Sequence, residues 1–350
     1  MKKIILLSFL LLMTFSLLFA GGEKQAQSSG GLTVLNVGIL DGWTGFPTKY
    51  IVDNGLDTKN GFKIEYMVFS SGAPANEAMI AGQLDCSIIG GGATIPALAN
   101  LDAKMLFETN NDTVGLSLIA RPNLACTKIK GQIRNYPNVL GSPETVKGLT
   151  IIGPNGTLQQ FCVLNYLKVM GLSINDVKFV SMDANQAYQA FMLGEADVFA
   201  ATNQHAFRLI QEEKMIMLCD LESLNCAATA QVVCSNKAFN NKEKFEALTK
   251  YITVLAQVAD IMNKDTNLAT KSFMDWVSLN GGSQLENVAR MIMASKPYFG
   301  PAETKARNYG HDLLTNFVEF YIMTGQIEEA KRGQIAANVK TEALKAAGFK

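Results

Sequence analysis

Ala78-Met-Ile-Ala-Gly-Gln-Leu-Asp85 and Ala190-Phe-Met-Leu-Gly-Glu-Ala-Asp197 are two copies of one pattern. In both, a helix-period stretch ends in a glycine, which takes a positive φ at little cost. Three residues later an aspartate precedes an apolar run, Ser87-Ile-Ile89 in one copy and Val198-Phe-Ala200 in the other. Alanine, glycine and aspartate coincide at a spacing of 112 residues.

Carried outward at that spacing, residues 37–94 lie over 149–206. Each copy opens with a short apolar strand, at 37–40 and at 149–152. A turn follows, Asp41-Gly-Trp-Thr-Gly45 or Gly153-Pro-Asn-Gly-Thr157, then a helix-period segment and a second strand at 62–69 or 177–182. Strands alternating with helices predict parallel sheets flanked by helices. The predicted fold class is therefore α/β in two lobes, each a sheet with helices on its faces, joined by two crossover segments at 113–121 and 228–234. Lobe 1 is expected to take 32–121 and 230–350, and lobe 2 to take 122–229. After residue 240 the chain is helix-rich and expected to pack back onto lobe 1.

The remaining signals set class and compartment. Lys2 and Lys3, an apolar run from Ile4 to Phe19, and then Ala20-Gly-Gly22 follow the order of a secretory signal. Residues 1–20 are expected to be a signal peptide and 21–31 a flexible leader. Leu18, three before a cut after Ala20, is not small, which leaves an uncleaved anchor as the alternative. No cysteine stands near residue 20, so a lipid anchor is not expected. With 31 basic and 31 acidic residues the formal net charge is zero, which speaks against a nucleic-acid partner. No H-x-x-x-H, G-x-S-x-G or G-x-x-x-x-G-K-[ST] pattern is present, so no metal, cofactor or catalytic set is expected. The six cysteines form no C-x-x-C pair; buried free thiols are the first reading, with a Cys219–Cys226 bridge as the alternative.

Function should lie beyond the carboxyl ends of the strands, where loops lead into helices. The candidate ligand-binding residues are Asp41, Trp43, Thr44, Gly91, Gly92, Ala93 and Thr94 on lobe 1. On lobe 2 they are Asn155, Gly156, Thr157, Asp183, Asn185, Thr202, Asn203 and Gln204. Gly90-Gly-Gly-Ala-Thr94 and Asn155-Gly-Thr157 each place free N–H groups at a helix start, which attract anions. The competing reading for the Thr, Asn and Asp residues is ordinary helix capping. For Trp43 it is packing, and for His205 it is a structural place at a helix start. The loops carry no Lys or Arg, so a monoanion or zwitterion suits them better than a phosphate ester.

At these residues the chain resembles the periplasmic binding proteins for aliphatic sulfonates, taurine and nitrate, a group that extends to thiamine-pyrimidine-precursor binders. The matching features are the helix-Gly-x-x-Asp-strand unit, the loop 90–94, Lys147-Gly-Leu-Thr-Ile-Ile-Gly-Pro-Asn-Gly-Thr157 and the closing stretch 306–327 ending in Thr-Gly-Gln-Ile. The resemblance implies the two-lobed type 2 periplasmic-binding fold, export, a monomer, and delivery of a small-molecule ligand to an ABC permease and its ATPase. It implies a binder rather than an enzyme. Two departures stand out. Ala201-Thr-Asn-Gln-His205 replaces an aromatic and a proline, giving a more amide-rich pocket. No cysteine cluster matches the branch that makes the thiamine pyrimidine from its own histidine. A pyrimidine-precursor binder, or a relative of that enzyme, is the alternative.

Overall fold

Strand β1 (Thr33–Leu40) fully buries Leu35, Val37 and Ile39, every second side chain along its length. It pairs in parallel with β2 (Phe62–Phe69) and with β3 (Cys86–Gly90). Around them come α1 (Phe46–Asp53), α2 (Gly72–Ile80) and α3 (Gly91–Asn100), then β4 (Lys104–Asn111). The second sheet holds β5 (Ser117–Ala120), β6 (Thr150–Gly153), β7 (Lys178–Ser181), β8 (Val198–Ala201) and β9 (Ile216–Asp220). Its helices are α4 (Leu158–Val169), α5 (Ala184–Leu193) and α6 (Asn203–Gln211). The chain then returns as β10 (Thr229–Cys234) and continues through α7 (Lys242–Lys264), α8 (Thr266–Leu279) and α9 (Glu286–Ala294).

This computed structural model describes residues 31–113, 116–295 and 297–350, and the side chains of Asn203 and Gln204 fall outside the description. The signal peptide expected at 1–20, and all of the leader except Gly31, lie outside the described residues. Residues 33–350 form one compact unit.

The sheet orders are β2-β1-β3-β10-β4 and β7-β6-β8-β5-β9. The two orders are equivalent, and in each the fourth strand has crossed over from the other half of the chain. That origin corrects the expectation of parallel sheets. β10 runs antiparallel to β3 and β4, and β5 antiparallel to β8 and β9. A strand entering directly from the neighbouring lobe arrives at the loop-bearing edge and must run the opposite way. The lobe boundary also moves. Ser117–Ala120, expected in lobe 1, pairs in the second sheet. The chain therefore crosses upstream of residue 117 and returns at Thr229.

The repeated aspartate has a structural task. Asp85 Oδ2 accepts the Asn36 backbone N–H at 2.8 Å, and Asp197 Oδ2 accepts that of Thr150 at 2.8 Å. Each carboxylate thus pins the first strand of its lobe to the third. Gly82 and Gly194 take φ of +72° and +93°, as helix-ending glycines should. The spacing between the copies is not constant, however. Register aligns Val37 with Ile151 (114 residues apart), Tyr66 with Phe179 (113) and Cys86 with Val198 (112). One residue is lost in each successive half-unit, so the uniform 112 holds only at the third strand.

Helix α7 packs across β1 and shares an apolar cluster with Phe46, Phe62, Trp276 and Tyr298. A second cluster runs through both lobes. It joins Ile89 and Ile95 of lobe 1 to Phe161 and Tyr166 of lobe 2 through Leu313, Phe317 and Tyr321. Phe317 and Tyr321 belong to a wide π-type turn (Leu313–Phe317) and the helix Val318–Met323 that follows it. The ring centroids of Phe161 and Phe317 are 4.5 Å apart. The cysteines are all free, so the Cys219–Cys226 bridge is not formed; Cys219 is buried in β9 and Cys226 lies in the return crossover.

Candidate functional site

Six helices begin where a parallel strand of one of the sheets ends: α1, α2 and α3 in lobe 1, and α4, α5 and α6 in lobe 2. The first four N–H groups of a helix lack partners within it. Side-chain caps normally satisfy one of them, as Asn241 and Asp265 do at α7 and α8 on the back of the molecule. Five of the six loop-side helices have no side-chain cap, their N-cap residues being Gly45, Ser71, Gly90, Thr157 and Thr202. Only α5 is capped, by Asp183 Oδ1 accepting from Asn185 N at 2.9 Å. The capping reading therefore holds for Asp183 and fails for Thr157 and Thr202. Thr157 Oγ1 donates backwards to Pro154 O at 2.9 Å, and Thr202 Oγ1 lies 3.2 Å from His205 Nδ1.

The two glycine loops meet. A methyl group placed on Gly92 would lie 3.4 Å from Thr157 Cα and 3.5 Å from Leu158 N, so the absence of a side chain is what lets the lobes approach. Between the loops sits the Tyr321 hydroxyl, 2.6 Å from Gly92 O and 2.8 Å from Gly156 O. One phenol proton serves two carbonyls, so at any moment it donates to one of them. Burial holds this phenol well above its ordinary pKa, so it stays a donor. On lobe 2, Gly156 has φ +66° and its N–H donates to Gln160 Oε1 at 2.9 Å. A second contact between lobes lies at α6: Phe207 packs against the lobe 1 cluster, and Asn287 Nδ2 of α9 donates to Gln211 Oε1.

Asp41 and Asp183, from different lobes, come close enough to repel. Asp41 keeps exposed surface, yet the protein mass around its carboxyl raises its pKa, with Asp183 adding to the rise. Asn155 and Asn185 are exposed, and Gly91 packs against Leu313 and Phe317. His205 stacks on Tyr188 at 4.7 Å, and burial beside Arg208 lowers its pKa to about 4, so it is neutral near pH 7. That is the structural place expected for it.

Four candidates point elsewhere. Thr94 is fully buried one turn inside α3, and its Oγ1 donates to Gln231 Oε1 at 2.7 Å, tying α3 to β10. Thr44 faces the lobe 1 interior and lines a void of about 10 Å³ with Phe107 and Tyr298. Trp43, 7% exposed, offers no open platform: its ring lies 6.1 Å from Tyr298, whose hydroxyl donates to Trp43 O at 2.6 Å. Ala93 presses on Gly72 and its carbonyl accepts from Asn76 Nδ2 at 2.9 Å, so it holds α2 against α3.

Sequence reading missed Asp112. It stands just past β4, at the crossover into lobe 2, and is 8% exposed. Asn110 Nδ2 donates to its Oδ1 at 2.7 Å; its Oδ2 has no hydrogen-bond partner and no cation beside it among the described residues. Burial pushes its carboxyl up to about 7. The only available signal was the polar run Asn110-Asn-Asp-Thr113 ending an apolar strand. Tyr321 was missed as well, because nothing local tells a packed tyrosine from one that bridges two loops.

The chain is similar to known proteins over nearly all its length. The family model described as NMT1/THI5 like matches residues 132–266. An ABC transporter periplasmic binding protein of Brachyspira hyodysenteriae (strain ATCC 49526 / WA1) is 29% identical over 340 residues, covering 97% of each chain. Among solved structures, the alkanesulfonate-binding protein SsuA from Xanthomonas axonopodis pv. citri bound to MOPS superposes with a TM-score of 0.68 at 15% identity, covering 89% of this chain and 100% of that one. The periplasmic nitrate-binding protein NrtA from Synechocystis PCC 6803 gives 0.71 at 10% identity, covering 91% and 88%. These structures establish the two-lobed periplasmic-binding fold. The repeat, the paired sheets and the relative that matches end to end agree with that fold.

Proposed function

We propose that the chain is an extracytoplasmic binding protein that takes a small anionic or zwitterionic solute between its lobes. It hands that solute to the permease and ATPase of an ABC importer. The signal-like start at residues 1–20 would export it, and it binds its solute without converting it. The lobes follow sheet membership, lobe 1 holding β1–β4 and β10 and lobe 2 holding β5–β9. The observation that carries the reading is the set of five uncapped helix starts, three from lobe 1 and two from lobe 2, at the edges where the lobes meet. Such N–H groups bind oxyanions without a side-chain cation. Asp41, Gly91, Gly92, Asn155, Gly156, Thr157, Asp183 and Thr202 are the groups proposed around the solute. Sulfonates and nitrate are the solutes first in line, given what SsuA and NrtA are named for binding, with taurine as an amine-bearing sulfonate.

The test is calorimetric titration of the full chain with ethanesulfonate, taurine, nitrate and a 4-aminopyrimidine, with small-angle scattering of the same mixtures. Saturable binding with compaction, and unchanged solute by NMR, is expected for the first three. A response to the 4-aminopyrimidine alone would favour the pyrimidine-precursor reading. Conversion of any solute to product, or no saturable binding by the panel, would overturn the function proposed.

A further inference from the structure

A carboxylate more than nine-tenths buried, with one oxygen that takes no hydrogen bond from the described residues, invites a cationic partner, because burying a charge is costly. Asp112 is that group. It stands just past the end of β4. Asn111 and Thr113 line an open hollow of about 350 Å³ on the crossover side, with Glu222, Asn225 and Cys226. Asp112, between them, is not part of that lining. A methyl group placed on Gly90, the N-cap residue of α3, would lie 3.7 Å from Asp112 Oδ2 and 3.5 Å from Leu158 Cδ1. The free oxygen therefore lies where an uncapped lobe 1 helix meets the first residue of α4, an uncapped lobe 2 helix. The backbone on either side is fixed. Asp112 N donates to Ala228 O at 2.8 Å, and Asn110 Nδ2 holds the other carboxylate oxygen. Tyr298, whose phenol feels the Asp112 charge, is already committed to Trp43 O.

We propose that Asp112 is the residue that selects a nitrogen-bearing solute: its free Oδ2 accepts from the ammonium of a small zwitterion whose anionic end is held by the uncapped helix starts. The inference rests on the binding function proposed above and narrows it. Helix N-termini alone would take any monoanion, and a carboxylate beside them repels one. An oxyanion without a cationic end would leave Asp112 unpaired and bring a second negative charge near it. A zwitterion satisfies both ends, and its ammonium supplies the counter-charge that Asp112 lacks among the described residues.

Matched solutes separate the terms: taurine against ethanesulfonate, and β-alanine against propionate, titrated into the full chain and into Asp112→Asn. In the wild type the amine-bearing member of each pair should bind about 10- to 100-fold more tightly, the range for a hydrogen bond between charged groups. In Asp112→Asn, which keeps the shape and folds at least as stably, that preference should fall to within about twofold while the amine-free acids bind better. An unchanged preference in Asp112→Asn would overturn the inference. So would amine-free acids binding the wild type as tightly as their partners, an outcome that leaves the binding function standing. If no member of either pair binds either protein, the ligand class named here is wrong. The function then falls too only if nitrate also fails to bind.

Discussion

The Tyr321 hydroxyl lies 2.6 Å from the carbonyl oxygen of Gly92, although 229 residues separate them in sequence. The same oxygen lies 2.8 Å from Gly156 O on the opposite lobe. A residue of the C-terminal segment thus stands within hydrogen-bond distance of both glycine loops and can donate to either. It acts as a latch that is complete only when the lobes are together.

Removing the latch should shift the balance between the lobes more than it affects the fold. Tyr321→Phe keeps the ring packed and deletes one hydrogen bond, worth about 1 kcal/mol. The expected outcome is solute affinity weaker by about fivefold. The radius of gyration of the ligand-free protein should rise, with the melting temperature nearly unchanged. Scattering and calorimetry on the same preparations check it. An unchanged radius with unchanged affinity would show that the hydroxyl is packed there without holding the lobes.

The two repeated aspartates should differ in cost. Asp197 Oδ2 accepts from the backbone of Thr150 alone, whereas Asp85 Oδ2 accepts from Asn36 N and also pairs with Lys244 Nζ at 2.7 Å. The Lys244–Asp85 pair is half-buried, so removing the carboxylate strands an N–H and leaves the ammonium with the Val34 carbonyl but no counter-charge. Asp85→Ala is expected to cost about 2–3 kcal/mol and Asp197→Ala about 1–2 kcal/mol. Urea denaturation of both variants measures the difference. Equal losses would mean that the lysine contributes nothing.

Acidity acts on two buried groups in opposite senses. Asp112 is raised from 3.8 to about 7, so between those values the folded protein holds a proton that the unfolded chain lacks, and stability rises as pH falls through 7. His205 is lowered from 6.5 to about 4, so in that window the unfolded chain holds the extra proton, and stability falls with pH. Among the described residues, the groups facing Asp112 are the Asn110 amide and the Tyr298 phenol; those facing His205 are Thr202, Tyr188, Phe199, Arg208 and Asp183. Each pKa unit is worth about 1.4 kcal/mol, so each group carries on the order of a few kcal/mol. Asp112→Asn should therefore be more stable than wild type at pH 8, with the gain shrinking by pH 5. His205→Gln should lose less stability than wild type between pH 7 and pH 5. Thermal melts across this range check both signs, and a gain for Asp112→Asn that grows on acidification would refute the first.

Backbone-level features were legible in the sequence, and side-chain direction was not. The Gly-x-x-Asp unit is local: a helix end and a strand start are set by neighbouring residues, so Gly82, Asp85, Gly194 and Asp197 could be read in place. The uniform spacing failed because two residues separate the copies in length, and single-residue slips in loops leave no compositional trace. The helix start at Leu158 was readable for the same local reason, whereas α3 begins at Gly91, inside the stretch read as a loop before a helix around Ile95. Whether Thr94 looks into the cleft or towards Gln231 depends on how α3 is rotated against β10, which tertiary packing decides. Trp43 is drawn inward by Tyr298 and by Trp276, whose Nε1 donates to Gly42 O at 3.1 Å, both far along the chain. Asp112 lies in the crossover, outside the repeat that organised the reading.

Two glycines on the same side of lobe 1 should behave differently for a reason that the geometry supplies. A methyl group on Gly45 would sit 1.9 Å from Leu40 O, inside its own lobe, where neither opening nor a side-chain shift relieves it. Gly45→Ala is therefore expected to cost about 3 kcal/mol or more, as other forced overpacking does. At Gly92 the near neighbours are Thr157 Cα, Leu158 N and the Tyr321 hydroxyl, so a side chain there meets the opposite lobe. Gly92 is in the first turn of a helix, a position that tolerates other residues. Gly92→Leu should leave the melting temperature within a few degrees of wild type, a change of under about 1 kcal/mol. It should also hold the lobes apart, enlarge the radius of gyration and weaken solute binding about 100-fold or more. Losing both stability and binding in Gly92→Leu would mean that the two lobes cannot separate at this contact without unfolding.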